Sequence, residues 1–331
     1  MRIISYLQAI NEALDEALSQ DEHVFLLGED IGIYGGGFGA TKDLQKKFGK
    51  QRVRDTPISE SALAGAAVGA AMTGMRPVIE LQFSDFITIA MDQLVNQAAK
   101  IHYMYGGKAK VPLVMRTAAG SGTGAAAQHS QSLENWMAHI PGLKVIQPSN
   151  AYDAKGLLHA AIKDNNPVMF YEHKLLYQTV GSVPATPYTI PIGVADVKCL
   201  GDDVTIVATG IMVNKALQAA EIVKEKGVSI EVIDPRTLVP LDKEAILASV
   251  KKTKRVIVAT EAVKNSGFGA EITAIIAESK IAMKLKSPII RLGGEFVPMP
   301  AQKLLEMRAT PQVDTLVAAI NQCISKAGLQ R

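Results

Sequence analysis

Two residues stand where their chemistry is suited to moving protons. Glu60 follows Thr56-Pro57-Ile58-Ser59, a run that reads as the start of a helix, with Ser59 as its cap and Glu60 in its first turn. A carboxylate there stabilises the helix dipole by about 0.3–1 kcal/mol, and the same group is placed to accept a hydrogen bond from a ligand. His129 follows a loop of glycines and alanines, Ala118 to Ala127, and precedes a segment read as a helix running to His139. An imidazole is the usual side chain for giving and taking a proton near neutrality; bonding to the loop backbone is the ordinary alternative. The other histidines (His23, His102, His139, His159, His173) and the two cysteines, Cys199 and Cys323, show no metal-ligand or disulfide spacing. Phe83 and Phe86 lie where a strand gives way to a helix, and core packing is their default role. The cluster Gly35-Gly36-Gly37-Phe38-Gly39-Ala40 is poorly spaced for a dinucleotide fingerprint. The preceding strand stops near Gly28, whereas that motif runs from strand almost directly into its glycines. A flexible loop is the better reading. There is no G-x-x-x-x-G-K-[ST] phosphate loop, no H-E-x-x-H and no G-x-S-x-G elbow.

The elements that must position these residues alternate. Apolar side chains at helical spacing over residues 5–19 precede the apolar run Val24 to Leu27, which reads as a buried strand ending at Gly28. A helix-like segment spans Thr41 to Phe48, and the helix begun at Ser59 is placed to stop at Gly74. Pro77 to Leu81 reads as a strand, 86–100 as a helix, Pro112 to Arg116 as a strand, Leu143 to Ile146 as a strand, Tyr152 to Ile162 as a helix and Val168 to Glu172 as a strand. This alternation argues for a parallel sheet covered on both faces. From Gly181 to Gly193 the pattern lapses into a proline-rich stretch read as an extended connector. Alternation resumes with strands at Val204 to Ala208, Ser229 to Ile233, Arg255 to Ala259 and Pro288 to Leu292, separated by helices near 213–226, 242–250 and 269–279. The expected organisation is therefore an α/β domain over 1–180, a linker over 181–198 and a second, smaller α/β domain over 199–331.

Composition limits the function classes. The 331 residues are 48% hydrophobic and 20% charged, with a net charge of +3, which suits a globular chain of two domains. The tightest basic cluster, Lys251-Lys252-Thr253-Lys254-Arg255, reads as a solvated helix end rather than a nucleic-acid surface. The N-terminus lacks the apolar stretch of a secretory signal. The small apolar tract from Ala62 to Met75 falls short of the roughly 20 residues that span a bilayer. The expectation is a cytoplasmic protein without membrane or nucleic-acid partners.

Several segments together resemble one family: Leu27-Gly28-Glu29-Asp30, Phe38-Gly39-Ala40-Thr41-Lys42, Asp55-Thr56-Pro57-Ile58-Ser59-Glu60, Asp92 to Lys100, Ala127-Gln128-His129-Ser130-Gln131-Ser132, Tyr152 to Leu157, Val232 to Thr237, and Gly267 to Ile272. In this order and nearly end to end, they are similar to the beta subunits of the thiamine-diphosphate-dependent dehydrogenase component of 2-oxoacid (pyruvate or branched-chain) and acetoin dehydrogenase complexes. The resemblance implies a pyrimidine-binding domain followed by a transketolase C-terminal-type domain. It gives Glu60 the hydrogen bond to the aminopyrimidine ring on which removal of the thiazolium proton depends. Phe86 matches the residue that packs against that ring; Gln82 and Ile58 are further pocket candidates. His129 matches the histidine that orients the oxoacid and moves protons as the acyl group passes to lipoamide. The carbonyls of Leu113, Ala161, Ile162, Asp164 and Asn166 match a monovalent-cation (K+) site, although a plain helix-to-strand turn explains that stretch equally well.

One departure is informative. The family anchors Mg2+ and the diphosphate through G-D-G followed by paired asparagines, and the nearest string here, Gly201-Asp202-Asp203, breaks that pattern and reads as a turn before Val204. The resemblance therefore implies an alpha subunit that holds Mg2+ and the diphosphate, in an alpha2beta2 heterotetramer serving a lipoyl-bearing acyltransferase core. The small-residue helix 61–74 and the glycines of 28–39 suit close contact, at a subunit interface or in the interior. The substrate signals conflict: Tyr105-Gly106-Gly107-Lys108-Ala109 and Glu172 to Tyr177 look like acetoin dehydrogenases, whereas Tyr34 to Gly39 and Ser266 to Ala270 look like pyruvate enzymes. Pyruvate is favoured, with acetoin next and branched-chain oxoacids more remote. A transketolase-like enzyme and a non-enzymatic scaffold are the rivals of other classes.

Overall fold

The structure, a computed structural model, describes residues 1–325. The chain divides into two compact units. One comprises Met1–Ala119 and Leu133–Ile192; the other comprises Gly120–Ser132 and the chain from Gly193 onward.

The first unit holds the strands β1 (Arg2–Ser5), β2 (Val24–Gly28), β3 (Val53–Asp55), β4 (Arg76–Leu81), β5 (Val114–Ala119), β6 (Lys144–Ile146), β7 (Val168–His173) and β8 (Val180–Val183). Six of them lie in the order β6-β7-β5-β4-β2-β3, every neighbouring pair parallel. All residues of β2, β5 and β7 are buried. That is why β2 reads as a continuous apolar run, and why the polar residues of β5 and β7, Arg116 and Glu172 among them, are buried as well: parallel strands are covered on both faces. The helices are α1 (Tyr6–Gln20), α2 (Leu44–Phe48), α3 (Glu60–Met72), α4 (Ile87–Asp92), α5 (Ala99–Met104), α6 (Glu134–Ala138) and α7 (Ala151–Lys163). α1 starts at Ser5, whose hydroxyl accepts the Gln8 N–H at 3.1 Å. It packs on α7 through a buried polar seam, in which the fully buried Lys155 ammonium donates to Glu16 at 2.7 Å and His159 bonds Glu16 at 2.7 Å.

The sequence expectation departs from this unit in four places. The stretch from Gly181 read as connector begins inside β8, which pairs antiparallel with the unforeseen β1. The helix expected over 86–100 is composite: a 3₁₀ turn at Ser84–Phe86, α4, a π-helical stretch at Gln93–Ala98, then α5. The helix before His139 is only five residues long and begins at Glu134, so His129 does not stand at a helix start. The glycine cluster is pinned rather than flexible. Gly32 donates to the Asp55 carboxylate at 2.6 Å, and a Cβ there would lie 2.2 Å from that group. Gly36, at φ 85°, would meet Glu80 Oε1 at 2.9 Å. Close approach and left-handed backbone demand these glycines.

The second unit carries β9 (Asp196–Cys199), β10 (Val204–Ala208), β11 (Ile230–Asp234), β12 (Thr237–Val239), β13 (Val256–Val263) and β14 (Ile290–Gly294). Five of these form a sheet in the order β14-β13-β10-β11-β9, parallel except for β9. Its helices are α8 (Ile211–Lys224), α9 (Lys243–Thr253), α10 (Phe268–Glu278), α11 (Lys303–Ala309) and α12 (Val313–Ser325). β9, β12, α11 and α12 were not read from the sequence. The basic cluster caps α9 as expected, with Lys254 in left-handed conformation at φ 58° and Lys252 paired to Glu231. No helix of the described residues is long and apolar enough to cross a membrane.

Candidate active site

The carboxyl ends of β2, β3 and β4 are in register, with Gly28 opposite both Asp55 and Glu80. In open parallel sheets, ligands are taken at this edge. Each strand delivers a polar group there: Glu29 directly after β2, Glu60 at the start of α3 after β3, and Gln82 directly after β4.

Glu60 is the first residue of α3 and only 5% exposed. Its carboxylate accepts no hydrogen bond from the described residues. The expected Ser59 side-chain cap is absent. The Glu29 carboxylate, from the neighbouring strand end, instead lies close enough to the Ser59 N–H to be stabilised by it. Glu29 is 6% exposed, and its Oε1 has no hydrogen-bond partner. Burial pushes the Glu29 carboxyl above the ordinary glutamate range; the charges of Glu60 and Asp30 add to this, against the Ser59 N–H. Two buried acids thus share one helix start, and the buried unsatisfied oxygen of Glu29 calls for a ligand donor. Glu29 stands in the segment Leu27-Gly28-Glu29-Asp30, whose resemblance to the family gives it no role. An acid at the very end of an apolar strand run was the available signal.

Gln82 is half-buried; its amide lies 3.5 Å from the Glu29 carbonyl and its side chain borders Gly37. Phe86, also half-buried, packs edge-on to Phe83 at 5.9 Å between centroids. Phe83 in turn meets Phe38 at 5.7 Å and lies under the Lys174 ammonium at 5.3 Å. Ile58 is an exposed loop residue. Beneath this surface lies a charged layer that sequence reading missed. Arg116, 2% exposed, donates to both Glu172 oxygens (2.7 and 2.8 Å) and to Glu80 (2.7 Å), and the Tyr177 hydroxyl adds a bond to Glu172 at 2.9 Å. Burial works against the Arg116 charge, yet Glu172 and Glu80 outweigh it and hold the guanidinium charged. For Glu172 burial dominates and pushes the carboxyl up.

His129 is half-buried, in the loop that groups with the second unit. Leu113, Ala161, Ile162, Asp164 and Asn166 gather at the amino edge of the first sheet, opposite to Glu60. There the Arg76 guanidinium donates to the carbonyls of Ile162 (2.9 Å) and Asp164 (3.1 Å), and Leu113 accepts from the Val168 N–H at 2.8 Å. Burial raises the Asp164 carboxyl, but its bonds to Lys144 and Asn166 win and hold it below the ordinary aspartate range. Gly201-Asp202-Asp203 is a turn before β10: a Cβ on Gly201 would lie 2.2 Å from the Ile230 backbone, and Asp203 accepts the Ser229 N–H at 2.8 Å. Among the described residues, no group of three or more His, Cys, Asp or Glu is arranged to hold a metal.

Fold and site together define a two-domain chain of transketolase type. Residues 2–179 match the transketolase pyrimidine-binding domain and residues 193–316 the transketolase C-terminal domain. A split-gene transketolase solved as an inactive beta4 tetramer shares the fold, with a TM-score of 0.79 over 98% of this chain and 99% of that one, at 24% identity. The acetoin:2,6-dichlorophenolindophenol oxidoreductase beta subunit of Bacillus subtilis is 46% identical, covering 99% of both chains. The 2-oxoisovalerate dehydrogenase beta subunit of the same organism is 47% identical over 97% of this chain and 99% of its own length. The human mitochondrial pyruvate dehydrogenase E1 beta subunit is 43% identical over 97% of this chain and 91% of its own. The chain belongs to the family of 2-oxoacid and acetoin dehydrogenase beta subunits.

Proposed function

We propose that this chain is the beta subunit of a thiamine-diphosphate-dependent 2-oxoacid dehydrogenase, an oxidoreductase that decarboxylates pyruvate and passes the acetyl group to lipoamide. The observation that carries this reading is the pair of carboxylates of Glu29 and Glu60, two buried residues at one helix start, with Glu29 Oε1 left without a hydrogen-bond partner. They fit the donor groups of an aminopyrimidine ring. Bound there, thiamine diphosphate supplies the electron sink for decarboxylation. Glu60 holds the ring by a hydrogen bond and manages its proton, while Phe86, Gln82 and Ile58 line the pyrimidine pocket. His129 orients the oxoacid and moves a proton during acyl transfer.

An alpha subunit completes the site by holding Mg2+ and the diphosphate, because Gly201-Asp202-Asp203 is consumed in a turn against β11. The exposed face of α3, formed by Ala62, Ala66 and Gly69, gives such a partner a flat surface to approach. The expected assembly is alpha2beta2 on a lipoyl-bearing acyltransferase core, in the cytoplasm. The first unit is the pyrimidine-binding domain and the second the transketolase C-terminal-like domain, and the linker expected over 181–198 narrows to the stretch between β8 and β9. The carbonyls of Leu113, Ala161, Ile162, Asp164 and Asn166 would hold K+, in competition with Arg76, which already bonds the carbonyls of Ile162 and Asp164.

Acetoin is the second reading, favoured by Tyr105 to Ala109 and by Glu172 to Tyr177; Glu172 and Tyr177 belong to the charged layer beneath Gln82. The test is reconstitution with the alpha subunit and assay against pyruvate, acetoin and branched 2-oxoacids. Preferred turnover of pyruvate is expected; preferred turnover of acetoin transfers the assignment, and no thiamine-dependent turnover of any of them ends it.

A further inference from the structure

The loop that carries His129 is glycine-rich, and its backbone is left-handed at Gly120 (φ 88°), Gly122 (φ 100°), Gly124 (φ 70°) and Ala126 (φ 63°). Backbone of this kind turns successive N–H groups into a concave nest that favours an anion. Here two side chains of the same unit fill it. The Ser121 N–H donates to Glu261, on β13, at 2.7 Å. The Gly122 N–H donates to Glu306 Oε1, on α11, at 2.7 Å, and the Gly124 N–H reaches both Glu306 oxygens, at 3.4 and 3.1 Å. Both glutamates are buried, while Gly122, Thr123 and Gly124 are exposed. The loop is therefore held from beneath by charge-assisted bonds, which are about twice as strong as neutral ones. Lys215 lies within reach of the Glu261 charge: burial pulls its ammonium down and Glu261 partly restores it. Lys215 also donates to the Pro311 carbonyl at 2.8 Å, between α11 and α12.

We propose that Glu306, with Glu261, is a positioning residue for His129: a carboxylate latch that fixes the loop so that the imidazole is presented in one geometry for acyl transfer. The proposal rests on the role given to His129 above, and its test separates the two. In the intact alpha–beta enzyme, Glu306→Ala should leave thiazolium-proton exchange, which depends on Glu60, at the wild-type rate. It should lower transfer of the acyl group to lipoamide at least tenfold, and speed hydrogen–deuterium exchange of the 120–132 amides at least tenfold. Glu306→Gln keeps a carbonyl oxygen for the Gly122 N–H but turns an amide group toward that of Gly124. It should lie between wild type and alanine in both readouts, and it carries the test if the alanine variant does not fold. Loop amides that exchange at the wild-type rate in both variants overturn the latch. Faster amide exchange with unchanged acyl transfer, in an enzyme that His129→Ala does impair, overturns the positioning role. Normal turnover by His129→Ala instead removes the reading of His129, and with it the functional half of the proposal, while amide exchange still decides the latch.

Discussion

Replacing Arg116 with Met removes the only cation in the buried layer formed with Glu80, Glu172 and Tyr177, and so tests what supports the carboxyl edge. Arg116 makes three bonds of 2.7–2.8 Å to two carboxylates. Without it Glu172, fully buried, and Glu80 face one another unpaired. Breaking a buried pair from one side costs about 3–5 kcal/mol, because the partner charge is left uncompensated. That corresponds to a loss of roughly two to four powers of ten in the folding equilibrium. The triple change Arg116→Met, Glu80→Gln, Glu172→Gln removes the stranded charges and should lose less than Arg116→Met alone. Urea unfolding followed by the fluorescence of Trp136, the single tryptophan, reports the first unit, in which that residue lies. A loss below about 1 kcal/mol for Arg116→Met, or a triple variant less stable than the single one, refutes the account of this layer.

Further outcomes follow from the same geometry. The Glu29 carboxyl is raised in the folded protein, so the native state binds its proton more tightly than the unfolded state does. Its contribution to stability is then greatest below the unfolded glutamate value and falls as pH rises through the folded one. Glu29→Gln should therefore be more stable than wild type above that window and equal to it in acid, as measured by thermal unfolding across pH. Gly142 has φ 104°, and a Cβ there would lie 2.0 Å from the Ala99 carbonyl oxygen, so Gly142→Ala should cost about 2–5 kcal/mol in the same Trp136 assay.

The sequence carried much of this fold because its central strands are buried on both faces and its main helices are amphipathic or small-residue. β2, α3, β4, α7 and β7 fall within about two residues of their expected bounds. The pairing of β1 with β8 was not legible: two four-residue strands lie nearly the whole first unit apart in sequence, and neither is wholly apolar. Gly32 and Gly36 read as flexibility, since sequence does not distinguish a glycine needed for freedom from one needed for close approach. Glu60 was legible from its helix start and its motif. The acids of the charged layer and of the His129 loop were not, because Glu80 and Glu172 sit inside strand runs, and Glu261 and Glu306 come within reach of that loop only through folding.

The central claim is that Glu60 activates a bound aminopyrimidine. Its most direct test is hydrogen–deuterium exchange at the thiazolium carbon in the reconstituted alpha–beta enzyme carrying Glu60→Gln. Exchange should nearly vanish while the cofactor stays bound; exchange at the wild-type rate would contradict the account.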